Sequence, residues 1–232
     1  MDETWMLDEM AHAGPEHLDQ QFINGYDRKQ GYPDAETDIA AFEAHGLDQA
    51  SSVVDFGAGT GQFAVPAARR FGRVTAVDVS PAMVTALRAK AVAAGAGNLD
   101  CVRGGFLSYS PGEPVDGIYT RHALHQVPDF WKAVALQRIA GMLRPGGVLR
   151  IRDLVYDFAP AEAGAVFADW FAGAAADPAS GYTAADYAEH IRTEHSTFRW
   201  LLEPIITASG FIITDVSYQG KLYGAYTCVK SA

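Results

Sequence analysis

The chain has 232 residues, of which 18 are Lys or Arg and 28 are Asp or Glu, so its formal net charge is −10. Hydrophobic residues make up 49% of the sequence and charged residues 20%, which is typical of a folded protein rather than a disordered one. The acidic balance disfavours a nucleic-acid partner, because broad nucleic-acid surfaces need clustered Lys and Arg. No apolar run approaches the roughly 18–20 residues of a membrane-spanning helix, and the 2 cysteines favour a reducing compartment. We therefore expect a cytoplasmic protein without a membrane partner.

The predicted elements begin with an irregular segment, residues 1–33, that is richer in aromatic side chains than a plain linker. Asp34 is a typical helix cap, and Gly46 ends the helix that follows it. From Ser51 onward, β-rich runs alternate with helical stretches. The predicted strands are residues 52–56, 74–78, 99–102, 115–119 and 148–152. The helices between them run from the glycine cluster to Phe71, from Pro81 to Ala94 and from Asp129 to Met142. This alternation predicts parallel crossovers and therefore an open, doubly wound sheet.

A stretch from residue 157 to about residue 199 interrupts this rhythm. It is rich in Ala and aromatic residues and helical in character, which predicts a cap inserted into the sheet domain. A helix over residues 201–209 leads into two further strands, residues 211–217 and 222–229. Gln219-Gly220 between them is a turn signal, so these strands must be antiparallel and close the sheet with a hairpin. The pattern predicts one α/β domain with a helical cap.

The sharpest motif follows the first strand, where Asp55-Phe56 leads into Gly57-Ala58-Gly59-Thr60-Gly61. Glycines at this position let the backbone approach a ligand closely and turn tightly into the next helix. The spacing is G-x-G-x-G rather than the G-x-G-x-x-G of the dinucleotide fingerprint, which disfavours a nicotinamide enzyme. Asp78 ends the second strand, where an acidic side chain accepts hydrogen bonds from ribose hydroxyls. The alternative is a purely structural turn in which Asp78 caps the next helix.

Three segments together resemble the motifs of class I S-adenosylmethionine-dependent methyltransferases, in particular small-molecule members of the methyltransferase type 11 kind: Val53 to Gly61, Val77 to Met83 and Leu143 to Gly147. The resemblance covers about residues 34–156 and, through the final hairpin, most of the chain. It implies a Rossmann-like, doubly wound sheet of seven strands with an antiparallel last strand. It also implies S-adenosyl-L-methionine as the cofactor and a methyltransferase domain over residues 34–232, with the cap at about residues 157–199.

The resemblance further implies that residues 1–33 fold over the cofactor, as the amino-terminal segment does in many small-molecule members. The alternative for Tyr26 in this segment is ordinary packing. By position, the glycines line the methionine and ribose parts of the cofactor, Asp55 lies near its amino group, and Asp78 holds the ribose hydroxyls. Both carboxylates suit a cationic sulfonium electrostatically. The implied cofactor-binding residues are Tyr26, Asp55, Gly57, Ala58, Gly59, Gly61, Asp78, Val79, Ser80, Met83, Gly105, Phe106 and Arg121.

Gly105 departs from the family pattern. These enzymes commonly carry, after the third strand, an Asp whose carboxylate receives the adenine amine, whereas this chain has Arg103-Gly104-Gly105-Phe106. Backbone groups of Gly105 and Phe106 can still contact adenine, but the side-chain hydrogen bond is absent. We expect either weaker cofactor binding or a water molecule in the place of the carboxylate.

Candidates for catalysis follow the fourth strand, because open α/β sheets bind ligands beyond the carboxyl ends of their strands. His122 and His125 are three residues apart, so on a helical turn both can face the cleft, and an acidic site favours a change of charge near physiological pH. A base is needed only when the acceptor must lose a proton, since methyl transfer otherwise depends on alignment. The alternative is that these histidines border the cofactor or cap a helix. No third ligand is identifiable beside them, so we expect no metal.

The inserted cap is the predicted source of acceptor specificity. Side chains that can wall the methyl-donor site include Tyr187, His190 and Glu194, and the acceptor-binding candidates are Tyr182, His195 and Trp200. An enclosing cap disfavours polymer substrates. The sequence therefore predicts in-line methyl transfer to an oxygen, nitrogen or carbon atom of a small-molecule acceptor, by a monomer or homodimer. The alternative is a cofactor-binding partner or regulatory protein that no longer methylates.

Overall fold

The computed structural model describes residues 4–14, 20–31 and 34–231, so parts of the predicted cover segment (residues 1–3, 15–19 and 32–33) lie outside the described residues. The helices are α1 (Glu9–His12), α2 (Gln20–Lys29), α3 (Glu36–Ala44), α4 (Ala64–Ala67), α5 (Pro81–Ala93), α6 (Asp129–Met142), α7 (Ala163–Ala172), α8 (Ala184–Thr193) and α9 (Arg199–Ala208). The strands are β1 (Ser52–Phe56), β2 (Arg73–Asp78), β3 (Leu99–Arg103), β4 (Val115–Arg121), β5 (Leu143–Tyr156), β6 (Thr197–Phe198), β7 (Phe211–Gln219) and β8 (Tyr223–Lys230).

One mixed sheet organises the molecule, with the strand order β3-β2-β1-β4-β5-β8-β7. The strands from β3 to β5 are parallel, whereas β8 runs antiparallel to both β5 and β7. The two-residue strand β6 pairs only with the end of β5. The strand order reverses at β1 and β4, so the carboxyl ends of these two strands face a crevice of the kind in which such sheets bind ligands. The predicted α/β sheet with a closing hairpin is confirmed.

Two of the predicted elements differ in length from those in the structure. The helix expected to reach Phe71 is the single turn α4, flanked by turns with N–H···O bonds from Val65 to Gly61 and from Phe71 to Ala67. Pro66 inside α4 has no N–H to donate, which weakens a continuous helix there. Strand β5 is longer than predicted, because its extra residues find partners in β6 and β8.

Helix α3 is fastened to the sheet by a buried polar group. The Asp38 carboxylate, fully buried, accepts hydrogen bonds from Arg150 Nε at 2.9 Å, Arg152 Nη1 at 3.1 Å and the Tyr119 hydroxyl at 2.8 Å. Buried charges are tolerated when they are paired and hydrogen-bonded in this way. Asp34, the predicted helix cap, lies one residue before the N-cap of α3, which is Ala35. Its Oδ1 accepts from the N–H of Glu36 at 2.9 Å, so it still bonds the first residue of the helix.

The inserted segment forms α7 and α8, which pack against each other through aromatic side chains. Trp170 stacks on Tyr187 with ring centroids 4.1 Å apart, and Phe167 contacts Tyr156 beneath it. Helix α2 reaches this cap, because Gln30 Nε2 donates to the Tyr182 hydroxyl at 2.6 Å. Helices α2, α7 and α8 therefore surround one end of the sheet. Across the described ranges, no helix combines the length and apolarity needed to cross a membrane.

Candidate active site

The glycine loop after β1 needs glycine at two positions because other chain segments approach it closely. A Cβ atom on Gly57 would lie 2.3 Å from the Cβ of Ala123, and one on Gly61 would lie 2.3 Å from Leu87 Cδ1. Both residues also have positive φ values, 68° and 87°, which L side chains rarely adopt. Gly57 therefore lets the loop after β4 approach, whereas Gly61 packs against α5.

Asp78 at the end of β2 connects the glycine loop to α5. Its Oδ2 accepts from the N–H of Gly59 and its Oδ1 from the N–H of Ser80, both at 2.8 Å. Ser80 is the N-cap of α5, and its Oγ accepts from the N–H of Met83 at 3.2 Å. Asp78 thus has a structural role as well as a place on the wall of a cavity.

A small cavity lies over this loop, and most of the sequence-predicted cofactor residues line it. Among them are Tyr26, Gly57, Gly59, Asp78, Val79, Met83, Gly105 and Phe106. The other predicted residues lie beside or beneath it. Asp55 is buried, and burial together with the nearby Asp78 carboxylate raises its pKa well above the usual range. Ala58 and Ser80 are also buried, and Arg121 lines a neighbouring cleft instead.

The cavity has a volume of about 80 Å³, smaller than a whole nucleoside needs, but its lining suits the implied cofactor in three respects. The loop backbone at Gly57 and Gly59 is open to a ligand, Asp78 presents a carboxylate, and Met83 and Phe106 provide apolar walls. These are the features that a sulfonium nucleoside requires: close backbone approach, an acceptor for ribose hydroxyls and an apolar slot for the base.

The Glu9 carboxylate occupies the space where a side chain at Gly105 would stand. A Cβ atom built on Gly105 would lie 2.4 Å from Glu9 Oε1, and the three nearest heavy atoms all belong to Glu9. Glu9 Oε2 accepts from the N–H of Leu107 at 3.0 Å and from Ser108 Oγ at 3.3 Å. Burial raises the pKa of this carboxyl despite these bonds. The sequence indicated no acid here, but the structure brings one from α1.

Helix α2 lies across the glycine loop. The Tyr26 ring is 3.5 Å from the position of a Cβ on Gly59. The neighbouring Asp27 carboxylate accepts hydrogen bonds from Thr60 Oγ1 and Lys90 Nζ, and from Gln62 Nε2 at 3.2 Å. The amino-terminal segment is thus bonded to the loop and to α5. That it covers a bound cofactor stays a prediction.

A second, larger cleft of about 1170 Å³ adjoins the small cavity, beneath the helical cap. The cleft contains both polar and aromatic side chains from β4, β5, β8, α2, α7 and α8. Four residues line both spaces: Ala13, Tyr26, His122 and Gln126. A molecule in the cleft and one in the cavity would therefore meet at this common wall.

His122 in the common wall has an unusual backbone and an unpaired ring nitrogen. Among the described residues, His122 is the one non-glycine residue with a positive φ, 49°. Strained backbone conformations of this kind are concentrated at functional sites. Its buried Nδ1 has no hydrogen-bond partner within the described parts of the chain. Burial lowers the pKa of His122 to about 3, despite the opposing effect of Asp153. The imidazole is therefore neutral at physiological pH.

His125 is held between two carboxylates. Its Nδ1 bonds Asp153, and its Nε2 lies 2.8 Å from Glu194 Oε2. Glu194 also lies 2.7 Å from Nδ1 of His190. Burial lowers the pKa of His125, but the two carboxylates outweigh it and raise that pKa to about 9. We expected both histidines to change charge near physiological pH, and this prediction is wrong for both. Burial lowers the pKa of His122 below that range, whereas pairing with two carboxylates raises the pKa of His125 above it.

The cap residues divide into those inside the cleft and those outside it. Tyr182, Tyr187, His190 and Glu194 line the cleft, as predicted. His195 and Trp200 do not. The N–H of His195 donates to the carbonyl of His125 at 2.9 Å, and the exposed Trp200 stacks on Phe198 outside the cleft. Trp200 is exposed because α9 buries Leu202 and Ile206 in the core instead.

Comparison with known proteins agrees with the geometry. A family model described as a methyltransferase domain matches residues 53–147. An uncharacterized methyltransferase of Geobacillus kaustophilus is 32% identical over 152 residues, which are 62% of this chain and 69% of that protein. The trans-aconitate 2-methyltransferase of Azoarcus sp. is 32% identical over 108 residues, 46% of this chain and 40% of that protein.

Among solved structures, magnesium protoporphyrin IX methyltransferase from Synechocystis, with bound S-adenosylmethionine, is similar with a TM-score of 0.66. The match covers 97% of this chain and 99% of that one at 17% identity, so it shows the fold alone. Fold, glycine loop and acidic strand end together define a Rossmann-like methyltransferase. The chain belongs to the class I S-adenosylmethionine-dependent methyltransferases, and S-adenosylmethionine is its cofactor.

Proposed function

We propose that this methyltransferase acts on a small-molecule acceptor that binds in the 1170 Å³ cleft and meets the cofactor at His122. The observation that carries the proposal is the common wall: Ala13, Tyr26, His122 and Gln126 line both the cofactor cavity and the cleft. The cleft volume is slightly above the range of about 300–1,000 Å³ for small-molecule sites. A small or medium-sized organic acceptor fits such a space.

The chain's own residues would hold the cofactor from three sides. Asp78 would accept from the ribose hydroxyls while keeping its bonds to the glycine loop, and Met83 and Phe106 would enclose the adenine. Glu9 would accept from the adenine amine, because its carboxylate fills the space beside Gly105. Tyr26 would close the site over Gly59. In this proposal, residues 4–14 and 20–31 form the cover and α7 with α8 forms the acceptor cap.

His122 would position the acceptor at the common wall. S-adenosylmethionine supplies, when bound, a methyl group that its sulfonium already activates. The neutral His122 imidazole lines both the cleft and the cofactor cavity, so it would contact the acceptor beside the methyl group. Holding the nucleophile in line provides much of the rate.

The cap and the amino-terminal segment limit what can enter. Lys29 on α2 lies 3.4 Å from Asp186 on α8, and Gln30 donates to Tyr182, so the two segments meet over the cleft. A site closed in this way excludes water from the reacting atoms and has little room for a folded protein or a duplex.

The proposal is tested by supplying methyl-labelled S-adenosylmethionine with a panel of small metabolites and detecting labelled products by mass spectrometry. We expect label in a small molecule. The His122→Ala variant should lose turnover while still binding S-adenosylhomocysteine, and His45→Ala, an exposed histidine on the end of α3, is the control. Transfer only to protein or nucleic acid, or cofactor binding without any product, would contradict the proposal.

A further inference from the structure

We infer that His125, His190 and Glu194 form a binding site for a divalent transition-metal ion on the wall of the cleft. Nε2 of His125, Nδ1 of His190 and a carboxylate oxygen of Glu194 all lie within 4.8 Å of one another. Glu194 Oε2 is 2.8 Å from the first nitrogen and 2.7 Å from the second. The residues come from two separate parts of the chain, the turn after β4 and the carboxyl end of α8, so the fold converges three donor atoms on one point.

The donor set is one that transition metals use. Two imidazoles and one carboxylate hold zinc in catalytic sites of the His₂Glu type, where a fourth position stays open for water or substrate. Tetrahedral bonds of about 2.0–2.2 Å place ligand atoms roughly 3.3 Å apart. The Glu194 oxygen, at present 2.8 and 2.7 Å from the two histidine nitrogens, would therefore have to move about half an ångström from each of them.

The other ring nitrogen of each histidine is already occupied, which aims the donor nitrogens at the shared point. Nδ1 of His125 bonds the Asp153 carboxylate, and Nε2 of His190 lies 2.7 Å from Ser196 Oγ. Asp153 is fixed in turn by the N–H groups of His125 at 3.1 Å and Leu154 at 2.8 Å. Outer hydrogen bonds of this kind orient histidines and set their tautomers in metal sites.

Charge and access also suit a cation. Asp153 and Glu194 bring two negative charges to the cluster, which a divalent ion would balance in a partly dehydrated setting. All three donor residues line the cleft, so the open position faces the space assigned to the acceptor. An acceptor oxygen bound there would be polarised beside His122. This last role rests on the proposed function, whereas ion binding by the cluster does not.

The test is a titration of the chelator-treated full chain with zinc chloride, followed by calorimetry. We expect one equivalent to bind tightly, and Glu194→Gln and His190→Ala to weaken the binding at least about tenfold. His45→Ala is the control and should bind zinc as the unmodified protein does, because this histidine lies outside the cleft. Circular dichroism establishes whether each variant is folded.

A measurement on the unmodified protein keeps the test independent of variant folding. X-ray absorption of the zinc-loaded chain should show two imidazole nitrogens and one carboxylate oxygen around the ion. Failure to bind zinc, binding that both variants retain, or a different ligand shell would overturn the site. S-adenosylhomocysteine titrated in parallel reports on the methyltransferase site, so loss of zinc binding with cofactor binding intact refutes the metal alone.

Discussion

A single steric contact links Glu9 to Gly105, which stand far apart in the chain. Gly105 does not have a positive φ, so its backbone accepts an L side chain. The three heavy atoms nearest to a Cβ at this position all belong to the Glu9 carboxylate. Gly105 lacks the carboxylate that the family commonly has at this position, and Glu9 on α1 places one in the same space. Nothing in the local sequence pattern marks Glu9, because only the fold brings it to the loop.

The Glu9→Ala variant should bind S-adenosylhomocysteine about ten- to a hundredfold more weakly, since a charge-assisted hydrogen bond contributes roughly 1.5–3 kcal/mol. Adding Gly105→Asp to this variant should restore much of the affinity by placing a carboxylate in the vacated space. Gly105→Asp alone should weaken binding, because its Cβ would collide with Glu9. Isothermal titration measures all three, with the exposed Glu113→Ala as a matched control.

S-inosylhomocysteine, which lacks the adenine amine, shows whether Glu9 recognises that group. The unmodified protein should prefer the adenosyl ligand, and Glu9→Ala should lose most of the preference. An unchanged ratio of the two affinities would mean that Glu9 only packs against the loop.

His122 illustrates how burial decides the chemistry of a titratable group. Its pKa of about 3 means that the imidazole is already neutral above pH 4. We expect the pH profile of kcat/KM to show no acid limb near pH 6.5 arising from this residue. We also expect His122→Ala to reduce kcat about tenfold or more, because the acceptor loses a contact that aligns it with the methyl group. A limb near pH 6.5 that disappears in His122→Ala would contradict this account.

Helix α8 owes its position to its first turn. Thr183 and Asp186 form a reciprocal capping box, in which each side chain bonds the backbone N–H of the other residue. Because His190 and Glu194 lie at the far end of the same helix, the cap at Thr183 helps to hold the acceptor wall. The sequence predicted a helical cap over this region. It did not predict which faces turn inward, since the aromatic residues are spread around both helices and their contacts depend on β5 and β8.

The Thr183→Ala variant should destabilise α8 by about 1 kcal/mol through loss of the cap. The expected result is faster hydrogen exchange over residues 184–193 and a higher KM for the acceptor, with unchanged affinity for S-adenosylhomocysteine. Thr85→Ala on α5 serves as the control, because that exposed hydroxyl only bonds the carbonyl of Pro81 within its helix. Equal exchange rates in both variants would show that the capping box contributes little.

Opposite charges buried near β4 and β5 make the whole protein sensitive to alkaline pH. The pKa of His125 is 6.5 in its ordinary state and about 9 in the fold. A group whose pKa is raised on folding stabilises the protein fully below its unfolded pKa, and that contribution is lost as the pH rises through the folded value. The window for His125 therefore lies between about pH 6.5 and pH 9.

In the presence of a chelator, the free energy of unfolding should fall between pH 6.5 and 9 by up to about 1.4 kcal/mol per pH unit from this group. Urea unfolding at several pH values measures it, and His125→Gln should have a flatter profile over the same range. Parallel profiles for the two proteins would refute the assigned pairing with Asp153 and Glu194.

Most of the fold was predictable because periodicity and glycine punctuation are local signals. The strand–helix alternation, the closing hairpin and the glycine loop with Asp78 all follow from such signals, whereas the strand order is known only from the structure. The acceptor-binding side of the site was not predictable from the sequence. It is assembled from α1, α2, the turn after β4 and the cap, and these segments meet only in the folded protein. Asp153 is an example: it follows a predicted strand, but only the fold places its carboxylate against His125.

A crystal structure with S-adenosylhomocysteine bound tests the central claim most directly. The account predicts adenine between Met83 and Phe106, its amine at Glu9, and the sulfur at the common wall beside His122, open to the large cleft. A ligand whose sulfur faces away from the cleft, or is sealed from it, would contradict the proposed path of methyl transfer.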